Sequence, residues 1–386
     1  MDYTKPISTQ LYSELSEKSD ARSLFQHTVF NTNGNVDLSG IQLAIVGVNE
    51  DRLRNSVAGT SEAPDEIRKE FYKLIKPRYE IKLADLGNIE AGNEINDTYF
   101  ALKQTLGDLF EKKIVCIVLG GMQDLAYSQF AAYEGVKTNL NLMIADNKVD
   151  MKTDEENDLN SSHISRIISY PKNFLFNITH IGHQSYFVES ESYDAFERMN
   201  FDMIRLGNLR HKIADVEPLL RNTDMMVMNM GCVKASDAPG QCDASPNGFS
   251  GEEACQITRY AGMSNELSSF GLYDVNPSFD INSQTSKLAA QMIWYFIEGF
   301  YNRKYDYPAT ESKDYMIYRT TSKSGNHEII FYRNILTDRW WMEVPYPTER
   351  SEHSGKFLVP CTYADYQIAM KDEIPDRWMK TYQKLL

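Results

Sequence analysis

The chain has 386 residues, 42% hydrophobic and 24% charged, with a formal net charge of −14. That length is enough for one large domain or a domain with an appendage, and the composition is that of an ordinary folded chain. The acidic balance argues against nucleic acid as a partner, and with no run of 18 uninterrupted apolar residues no membrane span is expected.

Residues 1–40 read as a polar, helical lead-in, with a short helical pattern near 8–26. The opening MDYTKPISTQLYSELSEKSD lacks the apolar stretch of a signal peptide, so a cytoplasmic location is the simplest expectation. QLAIVGVNEDR then reads as a buried strand running into a loop. In SEAPDEIRKEFYKLI, Pro64 followed by Asp65 and Glu66 marks a helix N-terminus. Further strands are predicted at 114–119, 141–145, 174–180, 225–230 and 269–273. The helical patterns SQFAAYEGVK, ESYDAFERMN, ADVEPLLRN and GEEACQITRYAGMS fall between them. This alternation predicts an α/β fold of three αβα layers around a mostly parallel sheet, spanning 41–305. Such sheets carry their sites at the carboxyl ends of strands.

The texture changes near residue 305. DYMIYRT, SKSGN and HEIIFYR read as an antiparallel hairpin, followed by RWWMEVP, FLVPCTYADYQIAM and EIPDRWMKTYQKLL. Residues 306–386 thus form an extension containing Trp340, Trp341 and Trp378. So many large aromatics need a surface to bury them, either the body of the same chain or a protein partner. Five cysteines are present without a CxxC pair, which gives no sign of zinc or a redox dithiol; Cys116 lies in an apolar run and reads as a buried hydrophobe.

The strand ends supply the chemistry. The first gives Gly120, Gly121, Gln123 and Asp124, where Asp124 can cap the following helix. The second gives Asp146, Lys148 and Asp150, which alternation in an extended chain sends to one side, so that Lys148 pairs with both acids. Either acid left buried without a cation would cost about 3–5 kcal/mol. The third gives His180 and His183, the fourth Asn229, Gly231 and Cys232, and the last Asp274 before Val275-Asn276-Pro277.

Taken together, these strand ends resemble the ureohydrolase superfamily of arginase, agmatinase and especially formimidoylglutamase, over residues 47–299. APGQCDASPNGFSGEEACQITRYAGMSNELSSFGLYDVNPSF carries the resemblance most strongly, and VAGTSEAPDEIR looks like the family's entry to its first helix. The resemblance implies an arginase-type sheet and two manganese ions held by six protein ligands, with a bridging hydroxide that attacks a guanidino or formimino carbon. Here Gln123 falls where the family has a ligand histidine. Asp146 and Asp150 match family ligands, but Lys148 replaces the histidine between them. Asn229 and Gly231 stand where the family has two aspartates, and Asp274 shortens the substrate-side glutamate.

With four of six ligands gone, Gln123, Asp146, Lys148, Asp150, Asn229 and Gly231 are read as vestigial metal-site positions. His163, His180, His183 and Asp274 are candidates for a ligand pocket. No metal or other cofactor is expected, and Lys148 is expected to neutralise the retained acids in place of the ions. The resulting expectation is a non-catalytic scaffold, regulator or binding protein of this fold. The alternative is a hydrolase of guanidino or formimino C–N bonds with an atypical centre, built from Asp146, Asp150, His180, His183, Cys232 and Asp274. The resemblance also implies a homo-oligomer.

Overall fold

Each apolar run read as a strand forms one, and three less apolar segments join the same sheet. In the computed structural model, which describes residues 2–32, 34, 36–53, 58–152, 159–308, 313–321, 328–346 and 355–386, the strands are β1 (Thr28–Phe30), β2 (Leu43–Asn49), β3 (Leu83–Glu90), β4 (Val115–Leu119), β5 (Leu140–Ala145), β6 (Leu175–Ile181), β7 (Asp202–Ile204), β8 (Met225–Asn229), β9 (Ser269–Tyr273), β10 (Tyr315–Thr321), β11 (Glu328–Asn334), β12 (Trp340–Tyr346) and β13 (Gly355–Cys361). The first nine form one sheet in the order β1-β3-β2-β4-β9-β8-β5-β6-β7, and every pairing in it is parallel.

Alternation along the central strands divides two cores. Leu43, Ile45, Val115, Ile117 and Leu119 face one side, with Phe71, Ile257, Ile293 and Phe296 from the helices Ala63–Phe71, Gly251–Met263 and Gln284–Phe300. Ala44, Val46, Cys116 and Val118 face the other, with Leu102, Leu106, Phe130 and Ile164 from the helices Ile95–Glu111, Leu125–Ala131 and His163–Ile168. Burial on both faces is why these strands read as continuous apolar runs rather than alternating ones. Gly262 and Gly299 let two of the helices touch backbone to backbone, since a Cβ at either would meet a carbonyl oxygen of the other helix at about 2 Å, Phe296 O at 2.1 Å and Arg259 O at 2.2 Å.

β3 escaped the sequence reading because LADLGNIE carries polar residues. Asp85 and Asn88 are buried yet satisfied. Arg68, fully buried, donates from Nε and Nη2 to the two oxygens of Asp85 (2.8 and 2.9 Å) and from Nη1 to Asn88 Oδ1 (2.6 Å). The Tyr72 hydroxyl donates to Asp85 at 2.5 Å. The first forty residues are bound to the same place. Lys5 pairs with Asn88 in an isolated bridge, Leu11, Leu15, Leu24 and Phe25 enter the core, and β1 closes the sheet edge. The helical pattern near 8–26 forms only Thr9–Glu17 and a single turn at Leu24–His27.

The extension folds as a four-stranded antiparallel sheet, β10-β11-β12-β13, followed by the helices Tyr363–Met370 and Asp376–Leu385. β10 and β11 pair as the hairpin reading expects, and the SKSGN turn between them lies outside the described residues. Trp340 stacks with Tyr318 and Tyr366, at ring-centroid distances of 5.1 and 5.3 Å, and Trp341 is buried beneath the Arg221 guanidinium at 4.6 Å. Arg221 also donates to the Trp340 carbonyl at 2.8 Å, and Arg339 pairs with Glu217 at 3.0 Å. Trp378 donates its indole N–H to the Glu343 carbonyl at 2.8 Å. Trp340 and Trp341 are thus buried within their own chain, and Trp378 is half-buried against it.

Arg68→Met removes the counter-charge of a buried carboxylate and leaves Asp85 with the Tyr72 hydroxyl as its main side-chain donor. The expected loss is about 3–5 kcal/mol of unfolding free energy in urea titration. A loss under about 1 kcal/mol would mean that the pair is not sealed from water as its burial indicates.

Candidate functional site

The carboxyl ends of β4, β9, β8, β5 and β6 lie side by side, so five loops meet above the sheet. After β4, Gly120 and Gly121 take φ of +79° and +71°, and a Cβ on Gly120 would stand 2.5 Å from the Pro64 ring. Glycine alone fits that reversal. It brings Gln123, wholly buried, beside β8. Gln123 Oε1 accepts from Asn229 Nδ2 at 2.5 Å, and the same Nδ2 donates to Asp274 Oδ2 at 2.8 Å. Asn229 Oδ1 accepts the Gly231 N–H at 2.7 Å. Asp274 sits at φ +63°, unusual for a residue with a side chain, and its N–H donates to the Gly121 carbonyl at 3.0 Å. Three strand ends are thus tied through one side-chain amide. Asp124 stands at the start of the next helix but makes no cap hydrogen bond there; it accepts the Tyr99 hydroxyl at 2.6 Å, and burial pushes its carboxyl up to about 7.

Asp146 follows the last residue of β5 and is 3% exposed. Its Oδ1 accepts the backbone N–H groups of Asn147 (2.6 Å) and Lys148 (3.3 Å). Burial, and then the charges of Asp150 and Asp274, push its carboxyl well above the ordinary carboxylate range. The expected neutralisation by Lys148 is not what forms. The chain leaves extended geometry after Ala145, so the alternation that would have aligned Asp146, Lys148 and Asp150 ends there. The Lys148 ammonium turns to the rim, where it pairs with Asp243 Oδ2 at 3.1 Å and lies 5.8 Å from the centre of the Phe187 ring.

These residues border a cleft of about 200 Å³ that Asp146, Asn147, Lys148, Asp150, Asn229, Gly231 and Asp274 help to line. The candidate pocket residues separate. Asp274 lines the cleft. His163, buried, lies behind Asp150, its Nδ1 3.8 Å from Asp150 Oδ2. His180 and His183 are not among the lining residues. Their rings lie 5.7 Å apart, against Phe196 and Tyr193. Burial drives both down, His180 to about 3 with His183 adding to the shift, and His183 to about 4 with Arg205 adding to it, so both rings are neutral at pH 7. Cys232 is buried, and burial followed by the Asp146 charge raises its thiol well above the usual range, which removes it as a nucleophile.

Two buried lining residues were missed. Asn147 and Gln241 are each 3% exposed, and among the described residues Asn147 Nδ2 and Gln241 Oε1 have no hydrogen-bond partner. Gln241 is held by its own Nε2, which donates to the carbonyls of Val233 (3.0 Å) and Ala238 (2.6 Å). Neither amide stands out in sequence, because their significance is the lack of a partner, which only the fold reveals.

A binuclear manganese centre does not fit this donor set. Hard divalent ions need several anionic oxygens or imidazoles around one point. Among the described residues no group of three or more His, Cys, Asp or Glu side chains is placed to hold a metal ion. Gln123 and Asn229 are committed to each other, and an ion between them would have to displace that bond.

A profile of the arginase family matches residues 41–298. Formimidoylglutamase of Staphylococcus haemolyticus is 24% identical over 249 residues, which is 62% of this chain and 79% of that protein. Formimidoylglutamase of a Geobacillus species is 24% identical over 322 residues, covering 78% and 98%. Among solved structures, Trypanosoma cruzi formiminoglutamase with Mn2+ superposes with a TM-score of 0.67 at 19% identity, over 74% of this chain and 100% of that one. Agmatine ureohydrolase of Thermoplasma volcanium gives 0.59 at 19%, over 75% and 99%.

Asn229→Asp exchanges the donor that bridges Gln123 and Asp274 for an acceptor. The expected cost at pH 7 is about 2–4 kcal/mol, from a lost network and an added half-buried charge. The new carboxyl is raised in the folded state, so the penalty shrinks as pH falls and the acid protonates. A penalty that does not vary with pH would show that the network is not electrostatic in origin. His183 carries the opposite sign. Its folded value lies below the ordinary 6.5, so the unfolded chain binds the extra proton and stability is lost as pH falls from about 6.5 towards 4, by up to about 1.4 kcal/mol per pH unit. Asp124 and Asp146 oppose this in the same window, so the measurement is a difference: wild type should lose stability more steeply than His183→Gln between those limits. Parallel profiles would exclude a buried neutral ring.

Proposed function

The chain belongs to the arginase family, and from that premise we propose that it is a non-catalytic member, a scaffold, regulatory or binding protein whose former metal site is sealed by hydrogen bonds. The observation that carries this reading is the bond from Asn229 to Gln123 and Asp274. Two positions that would have supplied an imidazole and a carboxylate to metal now supply amides to each other. With these ligands converted, the centre has fewer anionic and imidazole donors to offer a divalent ion, and burial raises the carboxyl of Asp146, which weakens that acid as a ligand. A centre that holds no ion neither lowers the pKa of water nor orients a hydroxide, so the hydrolysis implied by the names of the relatives is not carried over. The cleft above it stays open and polar, which suits binding. The cytoplasmic location and homo-oligomeric state expected from sequence belong to this proposal, as do the three-part division at 40 and 305 and the vestigial-site assignments. Among the described residues no helix is long and apolar enough to cross a membrane.

The test is metal analysis of the purified chain after dialysis against excess Mn2+, together with assays of formimino and guanidino substrates for release of formamide or urea. Substoichiometric metal and no turnover are expected. Two tightly held Mn2+ per chain with product release would end the proposal. Metal-free turnover abolished by Asp146→Asn would instead support the atypical hydrolase.

The same reasoning run backwards gives a second test. In the combined variant Gln123→His, Lys148→His, Asn229→Asp and Gly231→Asp, the new Cβ at 231 meets residue 229 at 3.0 Å, which the simultaneous change at 229 can accommodate. Without metal this variant should be less stable than wild type. With Mn2+ at about a hundred times its dissociation constant it should gain about 2.7 kcal/mol, seen as a rise in Tm. No response to Mn2+ would show that the site differs from a metal centre by more than these four residues.

A further inference from the structure

A second polar cavity, of about 70 Å³, lies where the helix Asp376–Leu385 docks on the edge of the main sheet. That is roughly the room of two waters. Arg377, Lys380, Thr381 and Lys384 recur at i, i+3, i+4 and i+7, so they share one face of the helix, and all four line the cavity. Across from them are Asn177 and Thr179 of β6 and Asp202 of β7.

Three cationic side chains here meet one acid, in a chain whose overall charge is −14. The acid is already used, because Lys380 pairs with Asp202 at 3.1 Å. Among the described residues neither Arg377 nor Lys384 forms an ion pair. Arg377 donates from Nη1 to the Pro360 carbonyl at 2.8 Å, and its fork has further N–H donors. Lys384 donates to Asn177 Oδ1, and its ammonium lies 5.9 and 5.5 Å from the centres of the Phe176 and Phe201 rings. Phe176 and Phe357 line the cavity, and so apolar a wall makes burial of an amine that has no direct ion-pair partner costly. Burial pulls the Lys384 pKa down to about 8, opposed by the charge of Asp202 and assisted by that of Lys380.

We propose that this seam is a binding site for a phosphate group, free or at the end of a small molecule, held by Arg377 and Lys384 from the helix and by the β6 side chains from the core. A tetrahedral oxyanion supplies the missing negative charge and accepts from a guanidinium fork, an ammonium and a hydroxyl at once. The cavity volume limits the enclosed portion to one such group. Because its holders belong to both the C-terminal extension and the main sheet, the ligand also strengthens the docking of one on the other.

The test uses the full chain with inorganic phosphate as probe, and with glycerol phosphate as the arm that distinguishes a free anion from a phosphomonoester, both against chloride at matched ionic strength. Calorimetry should show saturable binding and thermal melting a rise in Tm with at least one of them. In Arg377→Gln combined with Lys384→Gln, affinity should fall at least about tenfold. Lys384→Gln alone changes one half-buried side chain and provides the same comparison should the double variant not fold. Absence of saturable binding by the wild type to either probe overturns the proposal. So does unchanged affinity in a folded variant, which would mark an adventitious ion only.

Discussion

One amide nitrogen holds the centre of this protein together. Asn229 Nδ2 lies between Gln123 Oε1 and Asp274 Oδ2, and so joins the ends of β8, β4 and β9. Strand ends that converge on a metal are normally acidic, and acids gathered without an ion repel one another and resist burial. A sheet that abandons its metal must therefore rebuild the junction or come apart there. An amide solves the problem because it carries donor and acceptor without net charge. The Asn229 side chain uses both ends, donating twice and accepting the Gly231 N–H, so the half-buried site gains hydrogen bonds without a charge to desolvate.

Against that network, the lysine that the sequence reading put in place of the metal contributes little. The Lys148 and Asp243 side chains are 38% and 57% exposed, and ion pairs so placed are worth about 0–1 kcal/mol. Asp146 is held locally instead, by two backbone N–H groups that steady its charged form against burial and neighbouring acids, which raise its carboxyl. The Lys148 ammonium is not brought in to pair with it but stays at the rim. This also explains why Lys148 is free to sit over Phe187 at the mouth of the cleft, where it meets whatever enters.

Sequence revealed what depends on residue type and order. The buried strands were legible because parallel strands covered on both faces are apolar throughout, and the proposed vestigial positions were legible because the resemblance implies histidine or aspartate where this chain has glutamine, lysine, asparagine or glycine. What depends on the path of the chain was not. β3 hid because Asp85 and Asn88 are polar, and their partner Arg68 comes from a helix 17 to 20 residues away. The aim of Lys148 was misjudged because alternation holds only within a strand and β5 stops at Ala145. His180 lies in β6 and so does follow strand geometry, but that geometry turns it towards Phe196 rather than into the cleft. Asn147 and Gln241 could not be singled out, since an unpartnered amide looks like any other until its neighbours are known.

The same two strands serve both polar cavities from opposite ends. The cleft opens at the carboxyl ends of β5 and β6, while the basic seam meets Asn141, Leu142 and Asn177 near their beginnings and Thr179 further along β6. With about 3.3 Å of rise per residue, the four steps from Leu142 to Asp146 set the two regions roughly 13 Å apart along β5. Salt would screen most direct interaction over that distance at the surface. Between them on β5, Met143 and Ile144 are apolar and fully buried. The two cavities therefore have independent chemistry, one acidic and floored by amides, the other basic and walled by aromatic rings. A ligand suited to one is electrostatically wrong for the other, so losing the metal in the first leaves the charge requirement of the second untouched.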